Sequence, residues 1–128
     1  MMFAAMDLPA SSPVAAPPAL VAAAQRAAAA ALQRPLRLDV QTARASGAWG
    51  FVLGTLQAPD GGAFDYRGTV FEEAAREGYL SRLYAVLLRR SGSGVWQVVT
   101  SRVGPTDLAW SDWAARHQAP AALFDTTR

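Results

Sequence analysis

LRLDVQTARASGAWGFVLGTLQA, residues 36–58, is the stretch that decides the fold. Leu36, Leu38 and Val40 alternate with Arg37, Asp39 and Gln41, the period of two that marks a half-buried strand. Ser46-Gly47 then turns the chain into a second run, 48–58, with Trp49, Phe51 and Leu53 on one face and Gly50 and Gly54 on the other. Two such runs joined by a short turn predict an antiparallel hairpin. The two glycines lack a side chain, so they either admit a closely packed helix or mark a bulge.

The same pattern recurs downstream, where LYAVLLRR (83–90) and VWQVVTSRV (95–103) flank the turn SGSG and predict a second hairpin. Upstream, PALVAAAQRAAAAALQ (18–33) predicts a helix. Pro18 suits a first turn, alanine has the best helix propensity, and Pro35 ends the segment. Leu20, Ala24, Ala27, Ala31 and Leu32 form a shallow apolar stripe, so this helix is expected to lie close against a sheet. Between the hairpins, PDGG (59–62) is a turn signal, and TVFEEAAREG (69–78) predicts a short helix. Thr69 and Glu72 have the spacing of a capping box, and Gly78 supplies a left-handed stop. In VGPTDLAWSDW (103–113), Pro105 stops the last strand and Thr106 or Asp107 caps a helix over 107–118. Asp112 and Arg116 pair on its outside, while Trp110 and Trp113 close the core.

The order α-β-β-α-β-β-α predicts an α+β fold: a long N-terminal helix plus a four-stranded antiparallel sheet of two hairpins, with helices against one face. A curved sheet wrapped on a long helix, cystatin-like or NTF2-like, is one specific version, and a small barrel-like arrangement is the alternative. Residues 1–17 are rich in Ala, Pro and Ser and read as a disordered tail, leaving 18–128 as a single domain. The tail lacks a basic leading region, and its apolar stretch FAAM is too short for a complete signal peptide. No run approaches the roughly 18 apolar residues that span a membrane.

Composition narrows the chemistry. At 52% hydrophobic and 17% charged, the chain is globular rather than disordered. The absence of cysteine removes disulfides, thiolate nucleophiles and Cys-based metal sites. Every one of the 12 basic residues is arginine, which removes lysine Schiff-base chemistry. Arg89-Arg90 is the only adjacent basic pair, so no nucleic-acid partner is expected. His117 is the only histidine; no imidazole-based metal site can form, and Ser111 lies on a different helical face from it, without a G-x-S-x-G elbow. Its simplest role is that of a helix-end histidine near the C-terminal dipole. Neither a metal nor a cofactor is expected.

The candidate site residues are few. Asp65, Tyr66 and Arg67 place a carboxylate, a phenol and a guanidinium on a loop just before a capped helix, the usual setting of binding residues. Against this, Asp65 and Arg67 can simply pair with each other while Tyr66 packs. Glu72, Glu73 and Glu77 crowd one short helix, where a solvated face is the plainer reading. Asp107 and Trp110 complete the candidates, Asp107 as a cap with room for a second role and Trp110 as a core residue or binding aromatic.

Taken together, DYRGT-x-x-E (65–72), AVLLRR (85–90), VWQVV (95–99), GPTDLAWSDW (104–113) and APAALF (119–124) resemble a family of small bacterial proteins commonly predicted to be exported, for which no activity is assigned. The resemblance implies a periplasmic or envelope location, with the cytoplasm left open by the incomplete signal, and it transfers no site residues. With a surplus of Trp, Tyr and Arg and no nucleophile motif, the chain reads as a non-enzymatic module binding a protein or small-molecule ligand. The alternatives are a pocket protein or enzyme of NTF2-like type using Asp107, Tyr66 or Glu73, and a structural homodimer joined through a hairpin edge.

Overall fold

The computed structural model describes residues 17–124. The tail expected over 1–17 therefore lies outside the described residues, apart from Pro17. Helix α1 (Pro18–Leu32) is followed by strands β1 (Arg37–Ser46) and β2 (Trp49–Gln57), a short helix α2 (Glu72–Arg76), strands β3 (Leu83–Arg90) and β4 (Trp96–Val103), helix α3 (Trp113–His117), and a 3-10 turn at Ala121–Phe124. The strands form one antiparallel sheet in the order β1-β2-β3-β4. The fold is thus α+β, and its N-terminal helix is 15 residues long. No described helix is long and apolar enough to cross a membrane.

The first hairpin turns on Gly47-Ala48, since Ser46 pairs with Trp49 and Gly47 takes a positive φ of 60°. Gly50 and Gly54 serve the two purposes that glycine can serve in a strand. A Cβ on Gly50 would sit 2.5 Å from a Leu20 methyl and 3.1 Å from the Trp96 ring, so α1 packs directly on it. Gly54 instead lies opposite Val40, where the β1 register slips and inserts Gln41 as a bulge.

Helix α1 covers one face of the sheet with Leu20, Ala23, Ala24, Ala28 and Leu32. The stripe differs from the expected set, with Ala23 and Ala28 in place of Ala27 and Ala31. In an alanine run many stripes are equivalent, and the two leucines twelve residues apart select the row spaced by four. Gln25 ties the helix to the sheet, donating to the Leu36 carbonyl at 2.6 Å and accepting from the Leu38 amide at 3.0 Å.

The expectation of helices on a single face is corrected by the central strands. Phe51-Val52-Leu53 and Tyr84 to Leu88 are buried at every position, the pattern of strands covered on both sides. Val52, Leu56, Tyr84, Val86 and Leu88 join the core beneath α1. Phe51, Leu53, Ala85 and Leu87 face the opposite way, where Trp110, Trp113, Ala119 and Leu123 cover them. Phe51 is the hub of this second core, its ring centroid 5.9 Å from Trp110, 6.2 Å from Trp113 and 4.9 Å from Phe124.

The last helix is shorter than expected. It begins at Trp113 rather than 107, and the residue at its N-cap, Asp112, makes no side-chain cap bond. Single turns, Ser111 N–H to the Leu108 carbonyl and Trp113 N–H to the Trp110 carbonyl, carry the preceding stretch. This irregular path lets both tryptophans reach Phe51. Neither Thr106 nor Asp107 is therefore a helix cap. The Asp112–Arg116 pair does form, at 3.6 Å on the surface.

Two substitutions test this packing. Trp110, only 4% exposed, should cost about 3–5 kcal/mol when replaced by Ala, as read from urea unfolding; a loss under about 1 kcal/mol would show that the second core does not depend on it. Gly104→Ala meets a backbone φ of +68° and a Leu80 Cβ at 2.8 Å, and should lose roughly 1–3 kcal/mol.

Candidate functional site

The segment joining the two hairpins shapes the candidate site. PDGG forms its expected turn: Asp60 Oδ1 accepts from the Gly62 amide at 2.8 Å, and Ala58 N–H donates to the Gly62 carbonyl at 2.8 Å. Asp65 repeats the device one step on. Its Oδ1 accepts from the Arg67 amide at 2.9 Å and its Oδ2 from Arg67 Nε at 2.8 Å. The backbone amide first and then the guanidinium hold the Asp65 carboxyl below its ordinary range.

Tyr66 turns inward. It is buried, packs edge-on against Phe64 at 5.2 Å and against Phe71 at 6.4 Å, and donates its hydroxyl to the Ser81 carbonyl at 2.6 Å. Burial pushes its phenol up to about 12, only partly opposed by the charge of Arg82. Asp65 and Arg67 therefore pair locally while Tyr66 packs, the plainer of the two readings for this loop.

The loop ends in a variant of the capping box. Thr69 Oγ1 donates to the Tyr66 carbonyl at 2.6 Å and accepts from the Phe71 amide at 3.1 Å. Glu72 reaches back to the Gly68 amide at 3.1 Å rather than to Thr69, and its other oxygen meets Arg76 at 3.1 Å. The helix accordingly starts at Glu72, two residues later than the motif predicts. The Gly68 amide and then Arg76 lower the Glu72 carboxyl. Gly78, at φ +82°, stops the helix as expected, with Tyr79 N–H reaching the Ala74 carbonyl.

These residues border an open depression of about 290 Å³, lined by Asp65, Tyr66, Arg67, Glu72, Ala75, Arg76 and Arg82. Three of the five sequence candidates thus share one place. Asp107 and Trp110 do not belong to it: Asp107 is exposed on the segment after β4, and Trp110 is buried on the second core. Glu73 is exposed and does not line the depression.

Two arginines that matter here carried no local signal. Arg82, just before β3, donates through Nε to the Phe64 carbonyl at 2.7 Å. Arg34, just after α1, donates to the Asp65 carbonyl at 3.1 Å and lies over the Phe64 ring at 5.9 Å. Both hold the loop from outside it, across 18 and 31 residues of sequence. Glu72 and Arg76 had one signal, their i,i+4 spacing. Comparison with protein-family models gives no match, and searches of curated proteins and of solved structures likewise give none.

The raised phenol of Tyr66 sets an alkaline limit on stability. The folded state holds this proton more tightly than the unfolded chain, so its contribution is complete below about pH 10 and is lost as pH rises towards about 12. Urea midpoints measured across this window should fall with pH. Tyr66→Phe should flatten the fall, leaving the part due to Tyr84, whose phenol burial also pushes up. A fall of unchanged steepness in Tyr66→Phe would refute the assignment.

Proposed function

We propose that the chain is a non-enzymatic binding module that receives a small anionic ligand in the depression beside α2. One observation carries this reading: Arg67, Arg76 and Arg82, from a loop, a helix and the entry to a strand, border the same hollow with only Asp65 and Glu72 opposing them. A guanidinium offers five fixed donors, and these three spend few of them within the protein. Arg67 and Arg76 use one nitrogen each on a carboxylate, and Arg82 uses Nε on a carbonyl. The volume lies at the small end of ligand pockets, suiting a carboxylate- or phosphate-bearing molecule of a few atoms rather than a large cofactor.

The NTF2-like enzyme reading finds less support. It requires a titratable group facing a cavity between helix and sheet, whereas Tyr66 is bonded to the Ser81 carbonyl and Asp107 sits on the exposed segment. The homodimer reading is opposed by the edges themselves. β1 carries a bulge at Gln41 and β4 another at Val99, and bulges twist an edge away from strand addition. The resemblance implies an envelope location for such a module, and we include that location in the proposal.

Thermal shift against inorganic phosphate, citrate and short dicarboxylates tests the reading. A binding anion at a hundred times its Kd should stabilise the fold by about 2.7 kcal/mol. Arg82→Gln should weaken that binding about tenfold, the loss of one charge-assisted hydrogen bond. No shift with any of the anions, or equal binding by Arg82→Gln, would overturn the assignment of this hollow.

A further inference from the structure

The charges of this chain are sorted by place. No carboxylate occurs in residues 17–38, 40–59 or 78–106, so α1, β2, β3, β4 and both hairpin turns contain none. Asp39 is the one acid in a strand, and it pairs with Thr55 near the sheet end remote from the turns. Asp65 and the glutamates of α2 belong to the loop at that remote end. Asp112, on the segment covering the second core, has its own partner in Arg116.

The turn end is the opposite. The two turns lie side by side, joined by Arg90 N–H to the Ala48 carbonyl at 2.6 Å, with Arg90 also reaching the Gly47 carbonyl at 3.5 Å. Arg89 lies over Trp49 at 4.7 Å and Arg90 over Trp96 at 5.4 Å, one stack on each face of the sheet. Arg44 adds a third guanidinium to the Trp49 side. Among the described residues none of the three has a salt-bridge partner. The first turn of α1 belongs to this end too, because Leu20 packs on Gly50 and Trp96, and a helix N-terminus carries partial positive charge. Val95 projects from the second turn, 54% exposed.

We propose that this end docks on an anionic phospholipid surface. Three guanidinia and a helix N-terminus supply the attraction, and half-buried Trp49 with exposed Val95 supplies an amphipathic rim of the kind that settles at headgroup level, while Trp96 is buried and holds Arg90 in place. The arrangement favours a surface over a strand of nucleic acid. This end is built of two adjoining turns, and each tryptophan already has a guanidinium on its ring where a base would stack. The inference is independent of the hollow beside α2, which lies at the other end of strands spanning about 25 Å.

Cosedimentation of the full chain with vesicles decides it. Vesicles containing phosphatidylglycerol should retain the protein at low salt and release it as salt rises, while pure phosphatidylcholine should not. The double variant Arg89→Gln, Arg90→Gln should bind about twenty-five-fold more weakly, from roughly fivefold per interfacial arginine. Val95→Asp, at a position 54% exposed, should also weaken binding and guards against a folding defect in the double variant. Arg37→Gln, removing the same charge at the remote end, should bind as the parent does. Equal retention on charged and uncharged vesicles, retention on neither, or equal weakening by Arg37→Gln would overturn the proposal. So would a single-stranded oligonucleotide that binds where phosphatidylglycerol vesicles do not.

Discussion

The burial of β2 and β3 on both faces is the constraint on which the rest of the molecule depends. Consecutive apolar residues in two central strands cannot be hidden by one helix. The alanine-rich α1 meets one side and the chain after β4 must cross the other. This accounts for the course of residues 104–112, which carries Trp110 and Trp113 across the second face onto Phe51. It also accounts for Gly50, since a side chain there would lift α1 off Trp96. Aromatic packing around Phe51 and alanine packing over Val52 are thus two answers to one requirement, set by neighbouring positions of a single strand.

Much of this was legible in the residues. The two hairpins, the helix at 18–32, the glycine stop at Gly78 and the inward tryptophans all follow from local periodicity and turn chemistry. The second covering layer was not, because Trp49, Phe51 and Leu53 could be taken as the whole of one buried face while Val52 passed as an ordinary strand residue. The overlong reading of the last helix has a similar origin. Thr106-Asp107 has cap chemistry, but the demand for two tryptophans on one phenylalanine is a tertiary condition that no helical propensity encodes. For the hollow, Asp65, Tyr66 and Arg67 were visible as a cluster, whereas Arg82 reaches it, and Arg34 reaches the loop that borders it, only because the chain folds them there.

The placement of charge follows from the same architecture. Strands buried on both sides leave little room for carboxylates, so the acids collect in the connecting loop, in α2 and on the outer side of α3. Arginines can remain in the strands, at their ends or edges, because their long stems lie along apolar surface and their planar heads stack on tryptophan. The molecule is thereby left with two unlike extremities, one where three arginines outnumber two carboxylates around a hollow and one where, among the described residues, arginines have no salt-bridge partner and two of them stack on tryptophan.

Gln25 has a consequence beyond fastening α1 to β1. By taking the Leu36 carbonyl and the Leu38 amide, its amide group occupies the first hydrogen-bonding pair on the outer margin of the sheet. The bulge at Gln41 interrupts that margin a few residues further on. A neighbouring molecule in a crowded solution therefore finds no run of vacant backbone groups at this corner on which to start a cross-β stack. One glutamine, placed among alanines that could not do the same, makes the helix a guard against aggregation as well as a lid on the core.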